Sequence, residues 1–133
     1  MDIIGIGYMG FETANFDAWR EYGPQVMGFG IGKSSESDLQ SLYFRIDDRC
    51  HRFVFHFGKV DRLAYIGWEV VGCMAFEDGL RKFEVVGIEF IRGDVAFCEL
   101  RGVREVVRFR DPVGYQYELF YGQKWTLCSF ISG

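Results

Sequence analysis

The chain has 133 residues, 49% of them hydrophobic, 26% charged and 18% aromatic, with a net charge of −4. That is the balance of a globular protein able to bury a core, and it excludes a disordered segment. No basic stripe is present to neutralise phosphates, no apolar run reaches membrane-spanning length, and the N-terminus lacks the features of a signal peptide. A cytoplasmic protein without nucleic-acid or membrane partners is the default expectation.

Residues 3–12 alternate as a half-buried strand does, with Met9 and Phe11 on one face and Tyr8, Gly10 and Glu12 on the other. Residues 16–27 place Phe16, Trp19 and Val26 at helical spacing, although Gly23-Pro24 interrupts the pattern late. Gly28 can end that helix. Strands are expected near 29–33, 41–47 and 51–58, with a Ser/Asp-rich connection at 34–38 and a turn at Asp47-Asp48-Arg49-Cys50. The chain then reads as a strand at 63–71, a helix at 74–86 closed by Gly87, and strands near 88–92, 103–110 and 115–122. Residues 93–102 read as a connection with room for a helical turn, and Asp111-Pro112-Val113-Gly114 as a turn.

These elements repeat. Tyr8-Met9-Gly10-Phe11-Glu12 recurs as Tyr65-Ile66-Gly67-Trp68-Glu69, and Asp17-Ala18-Trp19 as Met74-Ala75-Phe76. Both copies close on an aromatic residue and a glycine, Phe57-Gly58 and Tyr121-Gly122. A duplication therefore accounts for nearly the whole chain: one α+β domain over 1–133, with module one at 3–58, module two at 63–122 and an exit segment at 123–133. Each module has the order βαβββ.

Several motifs tempt and fail. The run Gly28 to Ser34 falls short of a phosphate-binding loop because Met27 stands where glycine is needed, and because a helix precedes and a strand follows. His51 and His56 are the only histidines. On one strand a separation of five points them to opposite faces, so they cannot share a metal. With no nucleophile motif beside them a catalytic triad is unsupported. Glu12 and Glu69 match between the copies and could serve as paired carboxylates, but two hydrogen-bonded or solvated glutamates are the simpler reading. Cys50, Cys73, Cys98 and Cys128 are widely spaced and read as reduced, mostly buried thiols.

Gly7-Tyr8-Met9-Gly10-Phe11 near the start and Asp111-Pro112-x-Gly114-x-x-x-Glu118-x-x-Tyr121-Gly122 at the end resemble the vicinal oxygen chelate superfamily, also known for glyoxalase and bleomycin-resistance proteins. The stretches Asp17-Ala18-Trp19-Arg20, Leu42 to Arg49 and Gly102-Val103 extend the match, which is closest to the type I extradiol dioxygenases of the 2,3-dihydroxybiphenyl 1,2-dioxygenase group. The resemblance implies a curved mixed sheet formed by the two modules. It also implies an enzyme of two such domains, of which only the carboxy-terminal one binds Fe(II), through two histidines and a glutamate. That iron chelates a catechol and activates dioxygen for ring cleavage. The histidines come from the first strand of each module and the glutamate from the last strand of the second. Carried onto this sequence, the three positions fall at Tyr8, Tyr65 and Glu118. Two neutral phenols and one carboxylate hold Fe(II) poorly.

The resemblance thus points to the metal-free amino-terminal half of an extradiol dioxygenase, with no catalytic, cofactor-binding or metal residue of its own. Its expected partners are a carboxy-terminal catalytic domain holding Fe(II), a catechol and O2 in the whole enzyme, and further copies in a homo-oligomer. Tyr8, Tyr65 and Glu118 are expected in one concavity, with the phenols donating hydrogen bonds to the carboxylate. Two rivals remain open. One is a standalone dimeric protein that binds planar small molecules, as bleomycin-resistance proteins do. The other is a metalloenzyme combining Glu118 with His51 or His56, which strand parity disfavours because the first-module counterpart of Glu118 is Val54 and that of Phe120 is His56.

Overall fold

The computed structural model describes residues 2–32 and 40–124. The expected 34–38 connection, Cys128 and all but the first two residues of the exit segment lie outside them. The chain divides into two compact units: Tyr8–Ala64 with Lys124, and the residues up to Gly7 with Tyr65–Gln123.

In the first module, β1 (Ile3–Thr13) is followed by α1 (Phe16–Tyr22), β2 (Gly30–Ile31), β3 (Leu42–Arg45) and β4 (Phe53–Phe57). Its strands lie in the order β2-β3-β4-β1, with β1 parallel to β4 and the other pairs antiparallel. The helix expected over 16–27 changes character at Gly23-Pro24. The α-helical turns stop at Tyr22, and a π-helical turn spans Gly23–Met27 before Gly28 closes it at φ 73°. Proline supplies no N–H to the regular ladder, so the backbone widens there. Trp19 of α1 stacks on Phe55 at 4.6 Å, and Phe11 stacks on the same ring at 5.2 Å. Phe29 bridges Phe44 and Phe53. The aromatic excess of the sequence is spent here on core packing, where ring pairs add to simple area burial.

The second module repeats the plan. It runs β5 (Arg62–Val70), α2 (Cys73–Val86), β6 (Phe90–Arg92), α3 (Val95–Arg101), β7 (Glu105–Arg110) and β8 (Gln116–Tyr121). The strand order is β5-β8-β7-β6, again with first and last strands parallel and the rest antiparallel. Helix α2 buries Phe76, Leu80 and Phe83, spaced four and three apart on one face, against Val70, Val107 and Leu119. Each large apolar side chain contributes roughly 1.5–3 kcal/mol by leaving water. Gly87 ends α2 at φ 81°, as its position in the sequence suggests.

The stretch 93–102, expected as a connection, contains the seven-residue helix α3. The Asp94 carboxylate accepts a hydrogen bond from the Phe97 N–H at 2.8 Å and so caps its first turn. At the far end of the sheet Asp111 accepts from the Gly114 and Tyr115 N–H groups and from the Tyr117 hydroxyl, which fixes the β7–β8 turn. No described helix is long and apolar enough to cross a membrane.

Candidate functional site

The parallel register of β5 and β8 sets Gly67 opposite Glu118, and that of β1 and β4 sets Gly10 opposite Val54. Side chains alternate across a strand, so Glu118 leaves the sheet on the side opposite Leu119, which packs under α2. Tyr65, two residues before Gly67, emerges on the same side as Glu118, and so does Arg108, the cross-strand partner of Glu118 on β7. Glu118 is wholly buried.

A buried carboxylate needs a strong partner. Arg101, the last residue of α3, provides it. Its Nε donates to Oε1 at 2.9 Å and its Nη2 to Oε2 at 3.0 Å, a bidentate pair whose side chains are 8% and 0% exposed. The same guanidinium lies 4.1 Å from the centre of the Tyr65 ring and 4.6 Å from that of Phe97. Arg108 takes a second place by the Phe97 ring, also at 4.6 Å. The Arg101 guanidinium, buried over the buried Tyr65 ring, is shielded from water, where such contacts are strongest, whereas Arg108 and Phe97 are half-buried.

This arrangement tests the donor set for iron. Both oxygens of Glu118 are engaged by a fixed cation, and a metal ion bound there would meet that positive charge at close range. Tyr65 offers a phenol ring under the guanidinium. The residues present do not fit Fe(II). Beyond the phenols expected around Glu118, the structure adds Arg101, which donates two charge-assisted bonds to the carboxylate and lies over the Tyr65 ring.

Tyr8 belongs to the other compact unit. Its buried ring packs on His51 at 5.8 Å, and His51 meets the edge of Tyr43 at 5.1 Å. Cys50 Sγ and His51 Nδ1 are 3.3 Å apart. Burial pushes the Cys50 thiol up, against hydrogen bonds from the backbone that favour the thiolate. His51 and His56 do not share a strand as expected: β4 begins at Phe53, so His51 precedes it and alternation does not set its direction. The two histidines nonetheless have separate partners, since Nδ1 of His56 meets the Ser41 hydroxyl at 2.8 Å. Among the described residues no group of three or more His, Cys, Asp or Glu could hold a metal ion.

Glu12, matched to Glu69 by the repeat, is held by the Arg62 guanidinium through two bonds of 2.9 Å, which keep its carboxyl below the usual range. Gly28 to Gly32 lead out of the π-helical turn into β2, as the simpler reading of that run requires. Among the cysteines, Cys50 is buried and Cys98 partly so, but Cys73 is exposed, contrary to the reading of mostly buried thiols. An open groove of about 1130 Å³ runs along the end of α2 and the β6, β7 and β8 strands, where Phe90, Phe109 and Tyr117 mix with Arg108, Glu84 and Asp111.

Residues 6–58 match the family model described as dihydroxybiphenyl dioxygenase BphC D1. The chain is 36% identical over 122 residues to an iron-dependent extradiol dioxygenase of Rhodococcus jostii, and 37% identical over 120 residues to a biphenyl-2,3-diol 1,2-dioxygenase of Sphingomonas paucimobilis. The alignments cover 92% and 90% of this chain but only 40% of each relative, so the chain spans less than half the length of the curated relatives it matches. Among solved structures, a catechol 2,3-dioxygenase superposes with a TM-score of 0.92 at 32% identity, over 99% of this chain and 46% of that one. A halotolerant catechol dioxygenase superposes at 0.89 with 27% identity, over 98% and 43%. In sequence and in fold the chain is thus similar to the extradiol dioxygenases, and its residues 6–58 to the D1 domain of the dihydroxybiphenyl dioxygenases.

Proposed function

We propose that the chain is the metal-free, amino-terminal half of an Fe(II)-dependent extradiol dioxygenase that cleaves an aromatic catechol, such as 2,3-dihydroxybiphenyl, with O2 in the cytoplasm. The carrying observation is the bidentate Arg101–Glu118 pair, which commits the one carboxylate at a family ligand position to an internal cation. Tyr8 and Tyr65 stand at the other two relic positions, and each is buried against neighbouring side chains. The chain's own contribution is then structural: it supports a carboxy-terminal catalytic domain, which holds the iron and takes the substrate. The 40% share of the relatives' length leaves room for such a domain.

The test is an anaerobic iron reconstitution of the 133-residue chain, followed by 2,3-dihydroxybiphenyl and air. The yellow ring-opened product and the retained iron are measured together. Neither is expected from this chain, while the chain joined to a catalytic domain of a relative should yield product. Turnover by the chain itself with stoichiometric iron would overturn the proposal.

A further inference from the structure

At the position where the family's iron-binding domain would place a metal-ligating glutamate, this chain sets Glu118 against a cation of its own, Arg101. We propose that the guanidinium of Arg101 is the resident counter-cation of the second module, so that this carboxylate site is selective for a planar organic cation and closed to divalent metals. Three observations carry this. Two guanidinium nitrogens reach the two carboxylate oxygens one to one, at 2.9 and 3.0 Å, a bidentate pairing that an ammonium or a spherical ion cannot reproduce. The walls are aromatic, with Tyr65 at 4.1 Å and Phe97 at 4.6 Å, and such walls favour flat, weakly hydrated cations over strongly hydrated ones. Finally, Arg101 and Phe97 both come from α3, so one capped helix supplies the cation and part of its wall. The inference rests on the reading that this half carries no iron, but the two fail separately: ring cleavage tests that reading, and cation selectivity tests this one.

The experiment replaces the arginine by a hole. In Arg101→Gly, ethylguanidinium at roughly tens of millimolar, far below the molar range in which guanidinium unfolds proteins, is expected to raise Tm in a saturable way. The shift should be about 5 °C at tenfold excess over Kd. Urea, flat but neutral, should give no saturable rise, and Co(II) or Zn(II) should give none in either the variant or the unmodified chain. A saturable rise with either metal, or equal rescue by urea, would overturn the proposal. So would a folded variant indifferent to ethylguanidinium. If Arg101→Gly does not fold with or without ethylguanidinium, Arg101→Lys decides, since it keeps the charge and loses the planar fork. A Tm clearly below that of the unmodified chain supports the selectivity, and an unchanged Tm overturns it.

Discussion

Val54 and Glu118 hold the same place in the registers of their two modules, one across from Gly10 and the other across from Gly67, yet one is an apolar core residue and the other a buried acidic side chain. The duplicated backbone therefore accepts either chemistry at this place, provided the surroundings match. In the second module the match is an arginine on α3.

Val54→Glu tests that condition. Val54 is 1% exposed, so a carboxylate placed there enters a site built for an apolar side chain. The expected loss is about 3–5 kcal/mol at neutral pH, the cost of an uncompensated buried charge. Burial raises the carboxyl pKa above its unfolded value. The variant should accordingly regain stability below the unfolded pKa and lose it as pH rises through the folded one. Urea denaturation at several pH values measures both effects; a loss that does not vary with pH would contradict the charge argument.

Asp94→Ala removes the cap of a helix only seven residues long. A loss of about 1 kcal/mol is expected from the cap alone. Because α3 also presents Arg101 to Glu118, the loss should not add to that of Arg101→Met: once the guanidinium is gone, holding its helix in place matters less. A double-mutant cycle by denaturation reads the coupling, and strict additivity would separate the cap from the pair.

Asp47 sets a pH dependence in the first module. Partial burial pushes its carboxyl up, but the Arg52 guanidinium, through Oδ2 at 2.6 Å, and the Arg49 N–H, at 3.0 Å, more than offset this and hold it below the usual value. The folded pKa lies below the unfolded one, so the contribution is full above the unfolded carboxylate pKa and lost as pH falls through the folded one. With the Asp47 side chain 40% exposed, solvent screening limits it to under about 1 kcal/mol. Asp47→Asn should flatten the acid limb of a stability-versus-pH curve by that amount while leaving the neutral plateau lower.

Much of the fold was legible because the duplication exposes it twice. The match of Tyr8-Met9-Gly10 with Tyr65-Ile66-Gly67 places the first strands, and the counterpart of Glu118 read from the sequence, Val54, is the one the two registers give. The helix-ending role of Gly28 and Gly87 was legible from local chemistry alone. Helix α3 was not. Seven residues are too few for a hydrophobic period to stand out, and only the Asp94 cap, three residues before Phe97, marked its start. Missing the helix meant missing Arg101, since its approach to Glu118, seventeen positions later, depends on the helix end facing the sheet. The direction of His51 is not legible for a related reason: it stands two residues before β4 begins, where strand parity does not hold.

The pairing of first with last strand also bears on how the protein is made. β1 cannot meet β4 until Phe53–Phe57 exists, since Met9 pairs with Phe53. At ribosomal speeds of about 5–20 residues per second, the 44 positions between those partners take roughly 2–9 s to synthesise. Through that interval a strand beginning Ile3-Ile4 offers an unsatisfied edge. Contacts this remote in sequence slow folding further, so the nascent chain relies on whatever shields that edge during translation.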